Sequence, residues 1–599
     1  MRLPQPRLCI AFLLASLFSI LFSNPPLMAS DAPPQPADLI ITNARIYTVN
    51  PQQKWAEAIA VRGDKIIAVG DRKQVEALRG PATKVIDAGQ RLVLPGFTDC
   101  HIHFLDGSLD LQRVQLDDAK TIAEIQRRVK TFAAAHPEQP WVLGRGWSYA
   151  LFGASALPDK KYLDEIIPDR PVYLESYDAH TWWANSKALH LASITRQTPD
   201  PVGGSFARDP KTGEPTGAIV DDAADAVVRR AIPVPTREEK LQALRMGLKE
   251  ANRVGLVRIH VPGSVSVGVG DLQDAALLEE LRRTGELTLR MYLAYRLEPP
   301  AVTADELQQI EEARRRYHDE WISAGAAKMF LDGVIESHTA AMLAPYTDTP
   351  SLSGNLLWKP ELYKKAVVEF DRRGFQVFTH AIGDRAVRLA LDAYEEAQRT
   401  NHTQDMRHRV EHIETVSAQD IPRFGSLGVI ASFQPFHSYP DDDALKVWAP
   451  HVGPERVQRA WALHSVEAAG GVLAFGSDWP IFSLNPWPGV QNALTRQTTE
   501  GEPAGGWIPK ERISLPDAIR GYTLNAALAG HREKTEGSLE PGKLADMIVL
   551  SQDLFLIEPT EIGKTEVLLT MVGGKIVYQS PNWKASSLAG KSATEKKQK

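Results

Sequence analysis

The sequence predicts an α/β fold built on a (β/α)8 barrel. Strand-like apolar runs alternate with amphipathic helices through the middle of the chain, and 599 residues leave room for eight such units. Three of these runs end on His380, His412 and Asp478. Because the active sites of such barrels lie at the carboxyl ends of the strands, the pattern predicts both the fold and the place of its chemistry.

The alternation is clearest between residues 327 and 478. Strand-like runs lie at residues 327–332, 375–380, 409–412 and 472–478, and helical patterns lie at residues 361–373 and 384–400. Strands separated by helices indicate a parallel sheet with crossover connections.

Short β-rich runs flank this central unit. Residues 31–93 begin with a proline-rich linker and continue as strands separated by turn residues, which predicts part of a small β-sandwich. Runs of the same character recur in residues 537–580. The barrel is assigned to residues 94–536, and the lysine-rich residues 581–599 are expected to be a disordered tail.

Residues from about 110 to 232 interrupt the barrel rhythm. His103 and Lys328 are 225 residues apart, whereas three βα units need roughly half that length. We therefore expect an insertion over the barrel mouth. Its tryptophans have two interpretations of equal weight, a lid that packs on the substrate or the core of the insertion itself. They are Trp141, Trp147, Trp182 and Trp183.

The first 30 residues have the pattern of a signal peptide. Two arginines precede a nearly unbroken apolar run at residues 8–22, and small residues follow at Ala29 and Ser30. The run is short for a membrane span, although an uncleaved anchor is the alternative. We expect an exported protein, periplasmic or secreted, without stable membrane insertion after cleavage.

Composition narrows the class of partner. Hydrophobic residues make up 43% of the chain and charged residues 24%, which is ordinary for a soluble globular protein. A formal net charge of −6 argues against a nucleic-acid surface. We expect a small-molecule substrate, and the sequence leaves a homodimer open.

The most informative motif ends on His101 and His103, which follow an apolar strand and a Pro-Gly break. Side chains at i and i+2 of extended backbone point to one side, so both imidazoles are able to face one metal ion. Chance alone gives roughly 0.4 such pairs in this chain, so a solvated loop is the alternative until partners are found. Cys100 is expected to pack on the opposite face as a small buried residue.

Each later residue has a structural alternative when taken singly. A histidine at the end of an apolar run is often a buried, hydrogen-bonded core residue, which applies to His380 and His412. Asp478, after Gly476 and Ser477, is also able to cap a helix. The combination favours a metal site over these readings.

Taken together, the motifs resemble the amidohydrolase superfamily, in particular the YtcJ-like branch that includes N-substituted formamide deformylase (amidohydrolase family 3). The resemblance covers most of residues 37–580 and rests on residues 94–103, 171–189, 328–340, 379–386, 411–414, 475–480 and 537–550. It implies a distorted (β/α)8 barrel and a β-sandwich completed by both chain ends.

The resemblance also implies ligands for one or two divalent metal ions. His101 and His103 would bind the first ion with Asp478, and His380 and His412 would bind the second. Lys328 resembles a lysine that bridges two ions once it is carbamylated, because a carbamate offers two oxygens whereas an ammonium offers no lone pair. The alternative is a free Lys328 paired with Asp332 or Asp478 and a mononuclear site. Zn²⁺ is the expected ion, with Mn²⁺, Fe²⁺ and Co²⁺ as alternatives.

Other positions bear on the substrate. His180 matches a recurrent family histidine and is expected either to contact the substrate carbonyl or to hold the insertion together. His338 stands where many relatives have an arginine, Val261 where an aspartate is frequent, and Asp221 where a glutamate is common. We expect these departures to tune the substrate.

The function implied is hydrolysis of an amide-type C–N bond, in an N-substituted formamide or N-acyl group, by metal-activated hydroxide. Asp478 would serve as ligand and proton carrier. The alternatives are a cyclic amide, a lactone, a carbamate, or deamination at the same site. An exported binding protein without catalysis is the alternative outside enzymology, and the complete ligand set argues against it.

Overall fold

The computed structural model of the chain describes residues 35–583, except residues 156, 178, 202–203 and 264–274. The expected signal peptide and residues 584–599 of the expected tail lie outside the described residues. Within the described part, no helix is both long enough and apolar enough to cross a membrane. The domain boundaries given above stay predictions.

The strands of the described residues fall into four sheets. They are β1 (Ala37–Thr42), β2 (Arg45–Tyr47), β3 (Trp55–Ala56), β4 (Ala58–Arg62), β5 (Lys65–Gly70), β6 (Arg79–Asp87), β7 (Leu92–Pro95), β8 (Phe97–Asp99), β9 (Val114–Gln115), β10 (Val142–Trp147), β11 (Val172–Ser176), β12 (Thr181–Ala184), β13 (Ser205–Arg208), β14 (Pro215–Val220), β15 (Leu256–Val261), β16 (Arg290–Leu297), β17 (Ile322–Phe330), β18 (Gln376–Ala381), β19 (Arg409–His412), β20 (Ile430–Phe433), β21 (Val472–Phe475), β22 (Met547–Leu550), β23 (Val567–Val572) and β24 (Lys575–Gln579).

Helices connect many of these strands and cover the central sheet. They are α1 (Arg72–Glu76), α2 (Phe104–Asp110), α3 (Ile122–Ala135), α4 (Lys161–Asp164), α5 (Ser186–Leu191), α6 (Asp222–Arg229), α7 (Arg237–Arg253), α8 (Ala275–Arg283), α9 (Ala304–Arg316), α10 (Pro360–Arg372), α11 (Asp384–Asn401), α12 (Ile421–Leu427), α13 (Ala449–Val457), α14 (Leu463–Ala468), α15 (Pro486–Thr495), α16 (Leu515–Tyr522) and α17 (Leu524–Ala529).

Eight parallel strands form the barrel in the order β8, β15, β16, β17, β18, β19, β20, β21. The amide of Cys100 donates to the carbonyl of Phe475 at 2.9 Å, and the amide of Asp478 donates to that of His101 at 2.7 Å. These bonds join the first strand to the last, so the sheet is nearly closed. The predicted barrel is confirmed.

Helical periodicity explains how the crossover helices cover the barrel. In α11, Val387, Ala390, Leu391 and Tyr394 recur at the spacing of one helix face and are all buried. The polar face of the same helix is exposed to solvent. Burial of that apolar stripe against the sheet fixes the helix there.

Both chain ends build the small β-domain. One sheet runs in the order β24, β23, β22, β7, β2, β3, and β22 pairs antiparallel with β7. A second sheet, β5-β4-β1-β6, packs on it. Their shared core contains Ile41 and Ile59 from the second sheet and Val93, Val549 and Leu569 from the first.

The segment between β8 and β15 carries a separate sheet, β13-β14-β12-β11-β10-β9. Neighbouring residues of a strand point to opposite faces, and Trp182 and Trp183 of β12 accordingly enter different apolar clusters. Trp141 lies in the same cluster as Trp182, and Trp147 lies in the same cluster as Trp183. All four tryptophans are buried, so they form the core of the insertion.

Candidate metal centre

The structure brings the six predicted metal ligands together at the carboxyl ends of the barrel strands. His101 and His103 follow β8, Lys328 lies in the fourth strand, β17, and Asp478 follows the last strand, β21. His380 and His412 lie near the ends of β18 and β19. All six side chains are buried.

Two imidazoles and a carboxylate converge at the first of these positions. His103 Nε2 lies 3.2 Å and His101 Nε2 3.4 Å from Asp478 Oδ1. The two residues lie just beyond β8, and their side chains share one side as predicted from the i, i+2 spacing. Asp478 Oδ1 is buried and lacks a well-formed hydrogen bond within the described residues, as suits an oxygen that faces a cation.

Hydrogen bonds at the other ring nitrogens orient these histidines. His101 Nδ1 lies 2.7 Å from Glu411 Oε2, and His103 Nδ1 lies 2.5 Å from the carbonyl of Gly263. An imidazole that donates from Nδ1 presents the lone pair of Nε2, the arrangement typical of metal-binding histidines. Both Nε2 atoms point towards Asp478.

His380 and His412 adjoin this trio. Their ring centroids lie 4.5 Å apart, and that of His412 lies 4.8 Å from His101. His412 Nδ1 lies 2.8 Å from Gln434 Oε1, whereas His380 Nε2 lies 3.2 Å from the carbonyl of Gly333. The four predicted histidines therefore lie in one cluster with Asp478.

Lys328 lies within this cluster. Its Nζ is 3.4 Å from His101 Nε2 and 4.6 Å from the ring centroid of Phe330. Among the described residues Lys328 makes no ion pair. The pair with Asp332 or Asp478 that was the alternative for a free lysine is therefore not formed. Burial lowers the pKa of Lys328 to about 8, although the carboxylates of Glu411 and Asp478 oppose the shift.

Electrostatics favour neutral imidazoles beside an ionised carboxylate. Burial, together with the Lys328 charge, lowers the pKa of His101 well below its usual value and that of His380 to about 3. Burial alone would raise the pKa of Asp478, but His101 and His103 outweigh it and hold that pKa well below the usual range. Neutral imidazole nitrogens and a carboxylate oxygen are donors suited to Zn²⁺ and related ions.

A buried ion pair supports the first ligand. Arg409 Nε lies 2.8 Å from Glu411 Oε1, and Arg409 Nη2 donates to Glu411 Oε2 at 3.1 Å. The same Oε2 atom accepts from His101. The Arg409–Glu411 pair thus fixes both the rotamer and the tautomer of His101.

Two further carboxylates tie ligand-bearing loops together. Asp99 Oδ1 accepts from the amides of His101 and Ser477, each at 3.0 Å, and so links the first strand to the last. Asp332 accepts from the amides of Ala341, Ile382 and Gly383. Burial raises the pKa of each carboxyl to about 7, against the effect of these hydrogen bonds.

A cavity of about 350 Å³ opens over the cluster. The insertion supplies Tyr177, His180 and Asp221 to its wall, so the insertion does cover the barrel mouth. His180 Nδ1 lies 3.3 Å from Asp221 Oδ1. None of the insertion's four tryptophans is among the described lining residues, which excludes the lid interpretation for them.

The three departures from the family pattern have different places. Asp221 lines the cavity. Val261 ends β15 and packs against the barrel core, and His338 pairs with Asp348 outside the described lining of the cavity. Cys100 is buried with Ile430 and small alanines, where burial raises the pKa of its thiol to about 12.

The profile of the amidohydrolase family matches residues 84–578 of the chain. The chain belongs to the amidohydrolase family. The resemblance drawn from the motifs is confirmed.

Named relatives of this amidohydrolase are similar over nearly its whole length. Protein LONG AFTER FAR-RED 3 of Arabidopsis thaliana is 33% identical, over 90% of this chain and 92% of its own. N-substituted formamide deformylase of Arthrobacter pascens is 27% identical, over 91% and 99%. An uncharacterized metal-dependent hydrolase of Pyrococcus horikoshii superposes with a TM-score of 0.68 at 26% identity, covering 87% of this chain and 99% of that one. Family and site geometry together make the protein a metal-dependent hydrolase of carbon–nitrogen bonds with a small-molecule substrate.

One further histidine of the amidohydrolase centre, His437, is not predicted by the motifs. His437 Nε2 lies 3.6 Å from Asp478 Oδ2, is buried, and lacks a hydrogen-bond partner among the described residues. Its ring lies 4.4 Å from that of Phe482 in the cavity wall. A signal was present, since His437 follows the apolar run that becomes β20, much as Asp478 follows β21.

Proposed function

We propose that this amidohydrolase cleaves an amide-type bond of an N-acyl or N-substituted formamide group. The convergence of the His101–His103–Asp478 trio with His380 and His412 at the floor of one cavity carries the proposal. The name of one similar protein, the deformylase of Arthrobacter pascens, states such a substrate.

The residues fit one or two divalent ions, with Zn²⁺ as the proposed metal. His101, His103 and Asp478 would hold the first ion, and His380 and His412 the second. A bound ion supplies Lewis acidity, which lowers the pKa of a coordinated water towards about 7 and polarises the scissile carbonyl.

Asp478 is placed to move the proton. Its Oδ1 faces His101 and His103, whereas its Oδ2 lies 3.8 Å from His412 Nδ1 and 3.6 Å from His437 Nε2. In our proposal Oδ2 accepts a proton from the attacking water and delivers it to the leaving nitrogen. His437, beside the same oxygen, orients the carboxylate during the transfer.

His180 is proposed to contact the substrate carbonyl. Asp221 accepts from its Nδ1 and so orients the ring in the cavity wall. When the ring is protonated, its Nε2 is able to donate to the carbonyl oxygen and stabilise the developing negative charge.

We also propose that Lys328 is carbamylated. Its depressed pKa increases the fraction of neutral amine near neutral pH, and the lone pair of that amine forms an N–C bond with CO₂ while one proton is released. The product is an anionic carbamate beside the histidines, and its two oxygens would serve as metal ligands.

Charge in the outer cavity favours certain substrates. Carboxylates predominate there, from Asp221, Glu336, Asp441 and Asp443, and Arg296 is the arginine among the described lining residues. We expect neutral or cationic groups on the substrate and exclusion of anionic ones, because a like charge beside these carboxylates is repelled. The signal-like residues 1–30 support the proposal that the reaction takes place outside the cytoplasm.

A substrate panel with variants tests the proposal. N-formyl and N-acyl amines, each in a cationic and a carboxylate form, are compared with a cyclic amide, a lactone, a carbamate and an aminated heterocycle. We expect turnover of the amides, fastest for the cationic form. Asp478→Asn is expected to lower kcat at least about 100-fold, because a positioned acid–base group contributes that much.

Asp305→Asn, at an exposed position of α9, is the matched control and should keep full activity. Metal content is measured in parallel, to separate loss of a ligand from loss of a proton carrier. Wild-type kcat in Asp478→Asn would refute the assigned role. Hydrolysis of the lactone or ammonia release from the heterocycle, with no amide turnover, would replace the proposed bond.

A further inference from the structure

A second cluster of metal-ligating groups lies among residues that do not line the cavity. His338, Asp348 and His451 each place one ligand atom within 4.8 Å of the others. His338 Nε2 lies 2.9 Å and His451 Nε2 3.5 Å from Asp348 Oδ2. We propose that these three side chains bind a divalent transition metal ion, Zn²⁺ foremost, at a structural site separate from the catalytic centre.

The separations suit a tetrahedral ion. Zn–N and Zn–O bonds of roughly 2.1 Å put neighbouring ligand atoms about 3.4 Å apart. The two nitrogen–oxygen distances of 2.9 and 3.5 Å lie on either side of that value. All three ligand atoms lie within 4.8 Å of one another, so closing the cluster around an ion requires side-chain shifts of about 1 Å.

Hydrogen bonding presents the correct nitrogen of His451. Its Nδ1 lies 3.2 Å from the carbonyl of Ile335, to which it is able to donate. The lone pair then belongs to Nε2, the atom that faces Asp348. A backbone acceptor at the second nitrogen is the usual way in which proteins fix the tautomer of a metal-binding histidine.

The backbone holds the ligands in place without an ion. His338 has a φ of 59°, a left-handed conformation that is uncommon outside glycine, and its ring packs 4.7 Å from that of Tyr346. The amide of Thr347 donates to the carbonyl of His451 at 2.8 Å, and its Oγ1 donates to that of Val452 at 3.1 Å. The loop that carries Asp348 is thus attached to α13, which carries His451.

The side-chain chemistry at position 338 is suited to a cation. An arginine in place of His338 would pair with Asp348 through its charge but would offer no lone pair to a metal ion. Histidine is able to hydrogen-bond to the same carboxylate and also to act as a ligand.

The place of the His338–Asp348–His451 cluster beside the cavity indicates a structural role for its ion. The loop that follows β17 contributes Glu336 and Thr339 to the cavity wall, and the segment before α13 contributes Ala444 and Trp448. An ion held by His338, Asp348 and His451 would cross-link these two parts of the rim. Three protein ligands leave a fourth position for water, and the partly exposed side chains allow entry from solvent.

Zinc content and thermal stability test the site without reference to turnover. Wild type, His338→Arg, Asp348→Asn and His464→Gln are equilibrated with Zn²⁺, freed of excess ion and analysed by elemental mass spectrometry. His464 is an exposed histidine of α14 and serves as the control. We expect one equivalent of zinc fewer in His338→Arg and Asp348→Asn than in the other two proteins. His338→Arg retains an ion pair with Asp348, so a folding defect would not explain its loss.

A variant that lacks one ligand of the proposed catalytic centre separates this proposal from the proposed function. In His103→Asn, added Zn²⁺ should still raise Tm, and combining this variant with Asp348→Asn should reduce the increase to what the remaining ligands of the catalytic centre provide. Equal zinc content in all four proteins would show an ion pair only and overturn the proposal. An increase in Tm of the same size with and without Asp348→Asn would overturn it as well.

Discussion

The link from Arg409 through Glu411 to His101 predicts that metal affinity depends on a residue that touches no metal. In Glu411→Gln the side chain keeps its shape but loses its charge. Glu411 Oε2 now accepts from His101 at 2.7 Å and from Arg409 Nη2 at 3.1 Å, and Glu411 Oε1 lies 2.8 Å from Arg409 Nε. An amide offers one oxygen and one NH₂ group, so a donor faces either His101 or Arg409 in a site without solvent.

Two effects with known magnitudes follow. Breaking a buried ion pair by removing one partner costs about 3–5 kcal/mol of folding free energy. Loss of the acceptor that orients a ligand lowers metal affinity by about 10–100-fold, each factor of ten corresponding to about 1.4 kcal/mol. We therefore expect Glu411→Gln to lower both stability and zinc affinity.

A second buried pair separates the two effects. Arg258 donates to Glu536 through Nε at 2.6 Å and Nη2 at 2.7 Å, and neither residue contacts a predicted metal ligand. Glu536→Gln should lose comparable stability but retain wild-type zinc affinity. Competition with a chromogenic chelator measures affinity, and chemical denaturation measures stability. Equal zinc affinities for Glu411→Gln and Glu536→Gln would refute the orienting role of Glu411.

Three further outcomes are expected. At a fixed concentration of dissolved CO₂, the apo-protein should be reactivated by Zn²⁺ at a rate that rises with pH through about 8 and then levels off, because the neutral amine of Lys328 increases across its pKa. A rise that continues to pH 10 would indicate an ordinary lysine. His437→Gln should lower kcat about tenfold or more with metal content unchanged, since it acts on Asp478, and an unchanged kcat would exclude that role. Trp147→Ala should destabilise the insertion by about 3–5 kcal/mol without lowering zinc content, and an effect on KM alone would instead support a lid.

Much of the fold was predictable because its patterns are local. The helical patterns at residues 361–373 and 384–400 correspond to α10, Pro360–Arg372, and α11, Asp384–Asn401. Each ends near a turn signal or a capping residue, and each carries an apolar stripe. The predicted ligands likewise followed apolar runs, so the sequence alone placed them at strand ends.

The missed features depend on contacts between distant residues. Glu411 meets His101 across 310 positions of sequence, and a buried carboxylate is recognised as favourable only when its partners are known. The tryptophans of the insertion have the same pattern whether they form a core or a lid. His437 lies in a short 3₁₀ turn, Pro435–Ser438, whose irregular backbone leaves the side-chain direction undetermined by periodicity.

The insertion has a consequence for how this enzyme is able to change. It leaves the barrel after the first strand and returns before the second, and its aromatic clusters contain no metal ligand. Yet it presents His180 and Asp221 to the cavity over the metal ligands. Under the proposed function, part of the substrate preference is therefore encoded in a separately packed segment, which is open to exchange between relatives without rebuilding the centre that performs hydrolysis.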